Sequence, residues 1–255
     1  MSKEAIRYDG NFPTNELDLE TYVVGGKEYV VTAFEGLGVR RDFFPWKKEH
    51  FTKPLKDGAK EAPSKSGIFH LAMELEIRRN VGLNDVKYYK DRWIKATSGG
   101  APVMVKSPNS EDYEQLYVHY QAVFDCWAMN DENKVQNYKM GYYVDISKPP
   151  STQPETIVKQ IFFAMEKYAK DYPYLVFTQT ARRPKKGTFP YSVLYFGQYE
   201  DRNGNRSMGV PKAIIDRLPR GSAPITFDDA GLFPSAPTKS ENVITSDEDA
   251  DMLEQ

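Results

Sequence analysis

The sequence predicts an α+β fold in which most strands pair antiparallel, followed by an acidic tail. Three observations lead to this prediction. Strand-type runs recur through the chain, two segments have the apolar spacing of helices, and the last part of the chain is poor in large apolar side chains. We therefore expect a single basic globular body over 1–220, and a Pro/Ser linker with a disordered acidic tail over 221–255.

The composition is typical of a soluble globular protein, since 27% of the residues are charged and 40% are hydrophobic. No apolar run approaches the ~18 residues of a membrane helix, so we expect no membrane contact. The N-terminal sequence MSKEAIRYDG lacks the apolar core of a secretory signal, which predicts a cytoplasmic location. The single cysteine, Cys126, excludes an internal disulfide framework and agrees with a reducing compartment.

Charge is distributed unevenly along the chain, although the formal net charge is only -2. From Gly221 to the end there are eight acidic residues and one lysine, a net charge of -7. Residues 1–220 therefore carry 33 basic against 28 acidic residues, or +5. A basic body with an acidic tail favours a polyanionic ligand for the body.

The first hundred residues contain the signals of several strands. Gly25–Gly26 in TYVVGGKEYVV separates two β-branched runs and predicts a two-residue hairpin. In IFHLAMELEI the large apolar side chains from Phe69 to Ile77 alternate with smaller or more polar residues, which predicts a strand with one solvated face. The run VKYYKDRWIKAT over 86–97 predicts another strand.

Two longer segments have helical spacing. Over about 110–129, aromatic and aliphatic residues recur every three or four positions, which predicts a buried helical stripe. Ser151 or Thr152 opens a second predicted helix over about 152–170. The sequence YKMGYYVDI between them predicts a short strand.

The stretch from Tyr172 to Tyr199 predicts a hairpin with a basic tip, because two β-type runs flank ARRPKKGT. Since side chains alternate between faces, one face is apolar and the other is rich in tyrosine. Solvent-facing tyrosines beside cations supply rings for bases and charges for phosphates. The alternative is a half-buried sheet whose tyrosines cover a core and whose tip is merely soluble. The candidate nucleic-acid ligands here are Arg182, Arg183, Lys185, Lys186, Tyr174, Tyr191, Tyr195 and Tyr199.

A second basic and aromatic segment, RRDFFPWKKEHFTKPLKDGAKEAPSK, follows Gly38. A long irregular stretch inside a globular body is typical of a functional loop, and a surface loop pinned by its aromatics is the alternative. The candidate nucleic-acid ligands in this segment are Arg40, Arg41, Trp46, Lys47 and Lys48.

Signatures of enzyme chemistry do not occur in the sequence, which contains no GxxxxGK[ST], GxGxxG, GxSxG, HExxH or paired CxxC motif. The three histidines, His50, His70 and His119, are far apart in sequence, and we interpret them as structural. We therefore predict a protein that is not an enzyme and has no catalytic residue, metal or cofactor.

The tail ends in SDEDADMLEQ, in which two apolar residues lie among acids as in a short docking motif. The layout of basic aromatic body, Pro/Ser linker and acidic end resembles the single-stranded DNA-binding proteins of bacteriophages and bacteria. The resemblance implies an OB-like barrel, a host-cytoplasmic location if the protein is viral, and a tail that recruits replication partners and competes with DNA. The terminal phenylalanine common in such tails is absent. The implied docking residues are Asp247, Glu248, Asp249, Asp251, Met252 and Leu253.

Two main hypotheses follow. The first is a non-enzymatic protein that binds single-stranded nucleic acid, by resemblance DNA, with low sequence specificity. Its partners would be replication or recombination proteins and, as an open alternative, further copies of itself. The second hypothesis is a structural or assembly protein, such as a virion or scaffold component, in which the tyrosine-rich sheet is a subunit interface. A nuclease that uses scattered carboxylates is a third alternative.

Overall fold

The computed structural model describes residues 3–10, 16–18, 22–29, 31–33, 61–62, 66–80, 86–87, 90–130, 132, 134–154, 156–182, 191–220 and 225–226. The chain forms two compact units. The first unit comprises residues 1–39, 74–123 and 142–149, and the second comprises residues 40–73, 124–141 and 150–255.

Strands make up most of the regular structure in these ranges. They are β1 (Ile6–Tyr8), β2 (Tyr22–Val24), β3 (Lys27–Tyr29), β4 (Val31–Ala33), β5 (Glu61–Ala62), β6 (Ser66–Asn80), β7 (Ile94–Lys95), β8 (Thr97–Ser98), β9 (Ala101–Lys106), β10 (Tyr113–Gln115), β11 (Tyr117–Met129), β12 (Lys134–Val144), β13 (Tyr174–Arg182), β14 (Tyr191–Gly197), β15 (Tyr199–Glu200), β16 (Arg206–Ser207) and β17 (Ile225–Thr226). The helices are α1 (Thr156–Tyr168) and the short α2 (Lys212–Ile215), with a 3-10 turn at Pro150–Thr152.

The largest sheet has the strand order β14-β13-β6-β11-β12-β17, and β4, β5 and β7 pair with β6, β13 and β11. The β13 strand pairs antiparallel with β14, β6 and β5, whereas β4 pairs parallel with β6. A smaller sheet in the first unit contains β1, β9 and β10, with β8 paired to β9. This arrangement confirms the predicted α+β class with a mostly antiparallel sheet.

Several predicted elements are present. The Gly25–Gly26 pair connects β2 to β3, and both glycines have positive φ, 59° and 73°. The predicted alternating run lies in β6, where Phe69, Leu71 and Ile77 are buried. The predicted second helix is α1, and the predicted hairpin is β13 with β14. The predicted tail lies outside the described residues except for β17, which pairs with Lys134 and Val135 of β12.

The prediction of a helix over 110–129 is wrong, because these residues form β10 and β11. In β11 the even-numbered residues 118–128 are all buried, and on the other face Val123 and Trp127 are buried as well. A strand that is buried on both faces has no clean period of two, so its apolar residues also satisfy helical spacing. The β-branched and aromatic content of YVHYQAVFDCW favours the strand.

The prediction of one strand over 86–97 is also wrong. Among the described residues, 86–87 are helical, 90–92 form a turn, and only Ile94–Lys95 and the start of β8 are strand. The turn sends the Trp93 side chain inward, where it is 7% exposed. The Trp93 ring then packs on His119 of β11, with ring centroids 4.3 Å apart.

In the second unit, phenylalanines from four strands form one side of the core. The Phe69 ring lies 5.3 Å from Phe124, 5.7 Å from Phe177 and 5.4 Å from Phe196, measured between centroids. The α1 helix packs against β14. Its buried Gln160 accepts a hydrogen bond from Leu194 N at 2.9 Å, so the helix supplies an acceptor for a backbone amide of β14.

The opposite face of the same sheet is covered by the chain that follows β14. Seven residues form a buried cluster there: Ile68, Trp127, Val135, Val176, Tyr199, Val210 and Leu218. Trp127 Nε1 donates a buried hydrogen bond to the carbonyl oxygen of Pro219 at 2.8 Å. The second unit therefore buries its sheet on both sides.

Gly67 occupies a crowded position in β6. A Cβ at this position would overlap the carbonyl oxygen of Trp127, and it would lie 2.9 Å from both Ala128 Cβ and Phe177 Cε1. Because one of these atoms is backbone, the side chains alone cannot relieve the contact. Glycine is required here for close approach between strands.

We predict that Gly67→Ala lowers the free energy of unfolding by about 1–3 kcal/mol, the usual cost of overpacking a core. The matched control is Gly10→Ala, since a Cβ on Gly10 has no neighbour within 4 Å. That control should change stability by less than about 0.5 kcal/mol. Urea denaturation followed by circular dichroism measures both variants, and equal midpoints would contradict the close approach at Gly67.

In the first unit, one carboxylate holds the turn between β8 and β9. Asp18 accepts hydrogen bonds from Gly99 N at 2.8 Å, Gly100 N at 3.0 Å and Thr97 Oγ1 at 3.0 Å. Gly99 and Gly100 both have positive φ, 54° and 75°. The bonds from the Gly100 and Gly99 amides lower the pKa of Asp18 from its usual value.

A lowered carboxylate pKa makes stability depend on pH in a definite direction. The stabilising contribution of Asp18 is complete above the unfolded pKa of about 3.9, and it is lost as the pH falls through the lower folded value. We predict that Asp18→Asn is less stable than wild type at pH 6, and that the difference shrinks when denaturation is repeated at pH 2–3. Glu28→Gln, which removes the same charge from β3 without removing these bonds, is the control. A difference independent of pH would contradict this account.

Candidate nucleic-acid interface

The structure describes the side chains of three predicted nucleic-acid ligands, Tyr174, Tyr195 and Tyr199, and the backbone of Arg182 and Tyr191. The other predicted ligands and the docking residues of the tail lie outside the described residues. These are Arg183, Lys185, Lys186, Arg40, Arg41, Trp46, Lys47, Lys48, Asp247, Glu248, Asp249, Asp251, Met252 and Leu253.

Backbone pairing at one end of β13 relates the two predicted basic segments. Arg182 is the last residue of β13, and it pairs with Tyr191 of β14 on one side and Glu61 of β5 on the other. The predicted tip, 183–190, connects Arg182 to Tyr191. The predicted basic segment over residues 40–65 contains Glu61 near its C-terminal end. One end of each segment is therefore attached to the same end of β13, within the second unit.

The prediction of a solvent-facing row of tyrosines is wrong for Tyr195 and Tyr199, which are 9% and 5% exposed. Tyr195 pairs with the buried Thr178 across the β13–β14 ladder. Tyr199 belongs to the cluster around Trp127, and burial raises the pKa of its hydroxyl. Neither ring offers a face to a base, because both faces of this sheet are covered.

Tyr174 is half-buried, and its ring stacks on the ring of His70 from β6. The centroids are 4.3 Å apart and the planes differ by only 4°. On the same part of the surface Tyr172 is 42% exposed. Both tyrosines line a cleft of about 230 Å³, whose apolar wall includes Val210 and Ile215. Among the described side chains of the predicted hairpin, Tyr172 and Tyr174 are the tyrosines with solvent-exposed surface.

The first unit contains an arrangement that the sequence did not reveal, which we call the arginine–aromatic row: Arg78, Trp93, His119, Tyr143 and Arg92. The Trp93 and His119 centroids are 4.3 Å apart, and those of His119 and Tyr143 are 6.2 Å apart at 67°. The Arg78 guanidinium lies 5.8 Å from the Trp93 centroid, and that of Arg92 lies 5.5 Å from Tyr143. Two cations therefore flank three rings that come from β11, β12 and the turn before β7.

The chain around this row is strongly basic. Residues 78–95 contain six cations and two acidic residues. Lys87, Lys90 and Lys95 are exposed, and Lys95 pairs with Tyr117 across the β7–β11 ladder. The sequence run VKYYKDRWIKAT shows the cations and Trp93, but the rings that Trp93 and Arg92 contact, His119 and Tyr143, are far from this run along the chain. Only the fold brings them together.

Other kinds of site find less support within the described ranges. No group of three or more His, Cys, Asp or Glu side chains there is placed to hold a metal ion. His70 and His119 both contact aromatic rings, whereas His50 lies outside the described residues. Among the helices described, none has the length and apolar character needed to cross a membrane.

Comparisons of the chain with protein-family models, with curated proteins and with solved structures give no match. Function is therefore inferred from the residues and their geometry.

Proposed function

We propose that this chain is a non-enzymatic protein that binds single-stranded nucleic acid, with DNA as the expected ligand and with low sequence specificity. The observation that carries the proposal is the pairing of Arg182 with both Glu61 and Tyr191. It attaches both predicted basic segments to one end of β13. A backbone that carries one charge per nucleotide favours such a concentration of cations.

The two segments that join this end of the sheet are rich in cations. Residues 40–60 contain seven cations and three acidic residues, and residues 182–186 contain four cations and no acid. Arg and Lys at these positions would contact phosphates, which fix the strand without reading its sequence. Low sequence specificity follows from this type of contact.

Base stacking is assigned to fewer rings than the sequence predicted, since Tyr195 and Tyr199 are buried. Tyr174, Tyr191 and Trp46 remain in the proposal. Each stacked base would contribute ~1–3 kcal/mol, and stacking tolerates every base because all have a flat face. Stacking also favours a single strand over a duplex, in which base faces are already covered.

The resemblance to acidic-tailed single-stranded DNA-binding proteins extends the proposal in two respects. The strands would form an OB-like barrel, and the chain would act in replication or recombination. Its partners would dock on the tail residues 247–253, whose acids surround Met252 and Leu253.

We predict that oligo(dT) binds the wild-type protein with an affinity that falls steeply as salt rises, measured by quenching of tryptophan fluorescence. Changing Arg182, Arg183, Lys185 and Lys186 together to Gln should lower the slope of log K against log salt by about 3, at ~0.7 for each phosphate contact on a single strand. The control variant has the same net charge as the quadruple variant. It changes four other exposed cations of the second unit to Gln, namely Lys167, Lys170, Lys212 and Arg217.

Two results would contradict the proposed function. The first is a wild-type protein without salt-sensitive affinity for oligonucleotides. The second is an equal loss of slope in the two quadruple variants, because net charge alone would then explain the binding. A large, salt-insensitive oligomer in light scattering, together with the first result, would favour the assembly protein instead.

We further predict that deletion of residues 241–255 strengthens oligonucleotide binding several-fold at low salt, because it removes six acidic residues and no cation. The gain should disappear above about 0.5 M salt, where the screening length is only a few ångströms. The control replaces these acids by Asn and Gln at unchanged length. Equal affinity of the wild-type and deleted proteins at low salt would show that the tail does not compete with the ligand.

A further inference from the structure

We infer that the first unit carries a further contact surface for single-stranded nucleic acid, formed by Arg92 and Tyr143 of the arginine–aromatic row and by the neighbouring Lys95. This inference rests on the proposed function, because the ligand is the same. It differs from that function in place, since none of these residues belongs to the predicted hairpin or to the predicted basic loop. It is based on contacts between side chains, to which the local excess of cations is added.

The geometry provides flat, positively charged surfaces of the kind that unpaired bases stack on. The Arg92 guanidinium lies over the Tyr143 ring, 5.5 Å from its centroid. Tyr143 Oη donates to the carbonyl oxygen of Asp91 at 3.3 Å, which ties the ring to the turn that carries Arg92. The His119 ring meets Tyr143 edge to face. A preformed arrangement loses little side-chain entropy when a base stacks on it.

The surrounding charge favours phosphate as the second recognised group. Lys95 is exposed on the strand next to Tyr117, and Lys87 and Lys90 are also exposed. The neighbouring Ile94 is 48% exposed, which adds apolar surface beside these cations. Cations interleaved with rings and apolar surface suit a polyanion whose bases are accessible, whereas a duplex would offer only its phosphates.

A simpler role for such pairs is to cover an aromatic ring with a long side chain, as Lys27 covers Tyr29 at 5.2 Å in the β2–β3 hairpin. That pair is a single cation on a single ring. The row joins two arginines through three rings, and it lies in a segment with a net excess of four cations. The Lys27–Tyr29 pair is therefore the natural control.

The test is the double variant Arg92→Gln/Lys95→Gln, titrated with oligo(dT) of about 30 nucleotides at several salt concentrations. We expect the affinity at low salt to fall on the order of tenfold, and the salt slope to fall by about 1.4, which corresponds to two phosphate contacts. Ultraviolet cross-linking of the wild-type complex, followed by mass spectrometry, should recover peptides that contain Tyr143. The control is Lys27→Gln/Lys106→Gln, which removes two cations elsewhere in the first unit.

Because Arg92 packs on a ring, the variant Lys95→Gln alone is tested as well. Lys95 is exposed at the sheet, so its loss should leave the thermal midpoint unchanged and lower the salt slope by about 0.7. If the wild-type protein binds but the Arg92/Lys95 variant matches the control and no peptide of the row cross-links, this inference is overturned and the proposed function survives. If the wild-type protein binds no oligonucleotide, the proposed function fails, and this inference fails with it.

Discussion

The structure of the second unit depends on the burial of both faces of its sheet. Every residue from Leu175 to Thr180 in β13 is buried, so the strand has no solvated face. The α1 helix packs on β14, and the chain from Tyr199 to Leu218 covers the opposite side around Trp127. Neighbouring strands of this sheet also approach each other closely, which is why Gly67 of β6 has no room for a side chain beside β11 and β13. Dense packing of this kind stabilises the unit but removes the broad face of the sheet from contact with any ligand.

The burial of both sheet faces also determines which side chains remain free of the core and could contact a ligand. Polar side chains that are buried against these strands serve the fold, as Gln160 of α1 does when it accepts a hydrogen bond from Leu194 N. Cations that are costly to bury remain on segments that leave the sheet at its ends, and the end of β13 at Arg182 is one such place. In the first unit, the arginine–aromatic row places two cations against aromatic rings instead. Its rings are partly or wholly buried, while its guanidinium groups lie over the ring faces.

Local signals in the sequence were sufficient where one physical rule decides the structure. Only glycine adopts two successive positive φ values at low cost, so the turn at Gly25–Gly26 was predictable, as was the amphipathic α1 helix. The segment 110–129 was not predictable, because burial on both faces removes the alternation that identifies a strand. The burial of Tyr195 and Tyr199 was not predictable for a similar reason. The alternation of side chains assigns both residues to one face, but no local pattern indicates that the chain after β14 covers that face. The row was hidden because Trp93, His119 and Tyr143 are each separated by more than twenty residues in the sequence.

Net charge alone would not attract this chain to a polyanion, since a body of +5 and a tail of -7 nearly cancel. At physiological ionic strength, however, exposed charges act over only about 8 Å, so a ligand responds to the charges near its own contact surface. Local charge of this kind would then attract a polyanion regardless of the total. Residues 78–95 contain six cations and two acids, and residues 182–186 contain four cations and no acid. In the proposed function, the acidic tail would oppose them only when it lies within the screening length of the same surfaces. An almost neutral chain can therefore be a salt-sensitive binder of nucleic acid, provided that its positive charges are grouped beside accessible rings, as Arg92 is beside Tyr143.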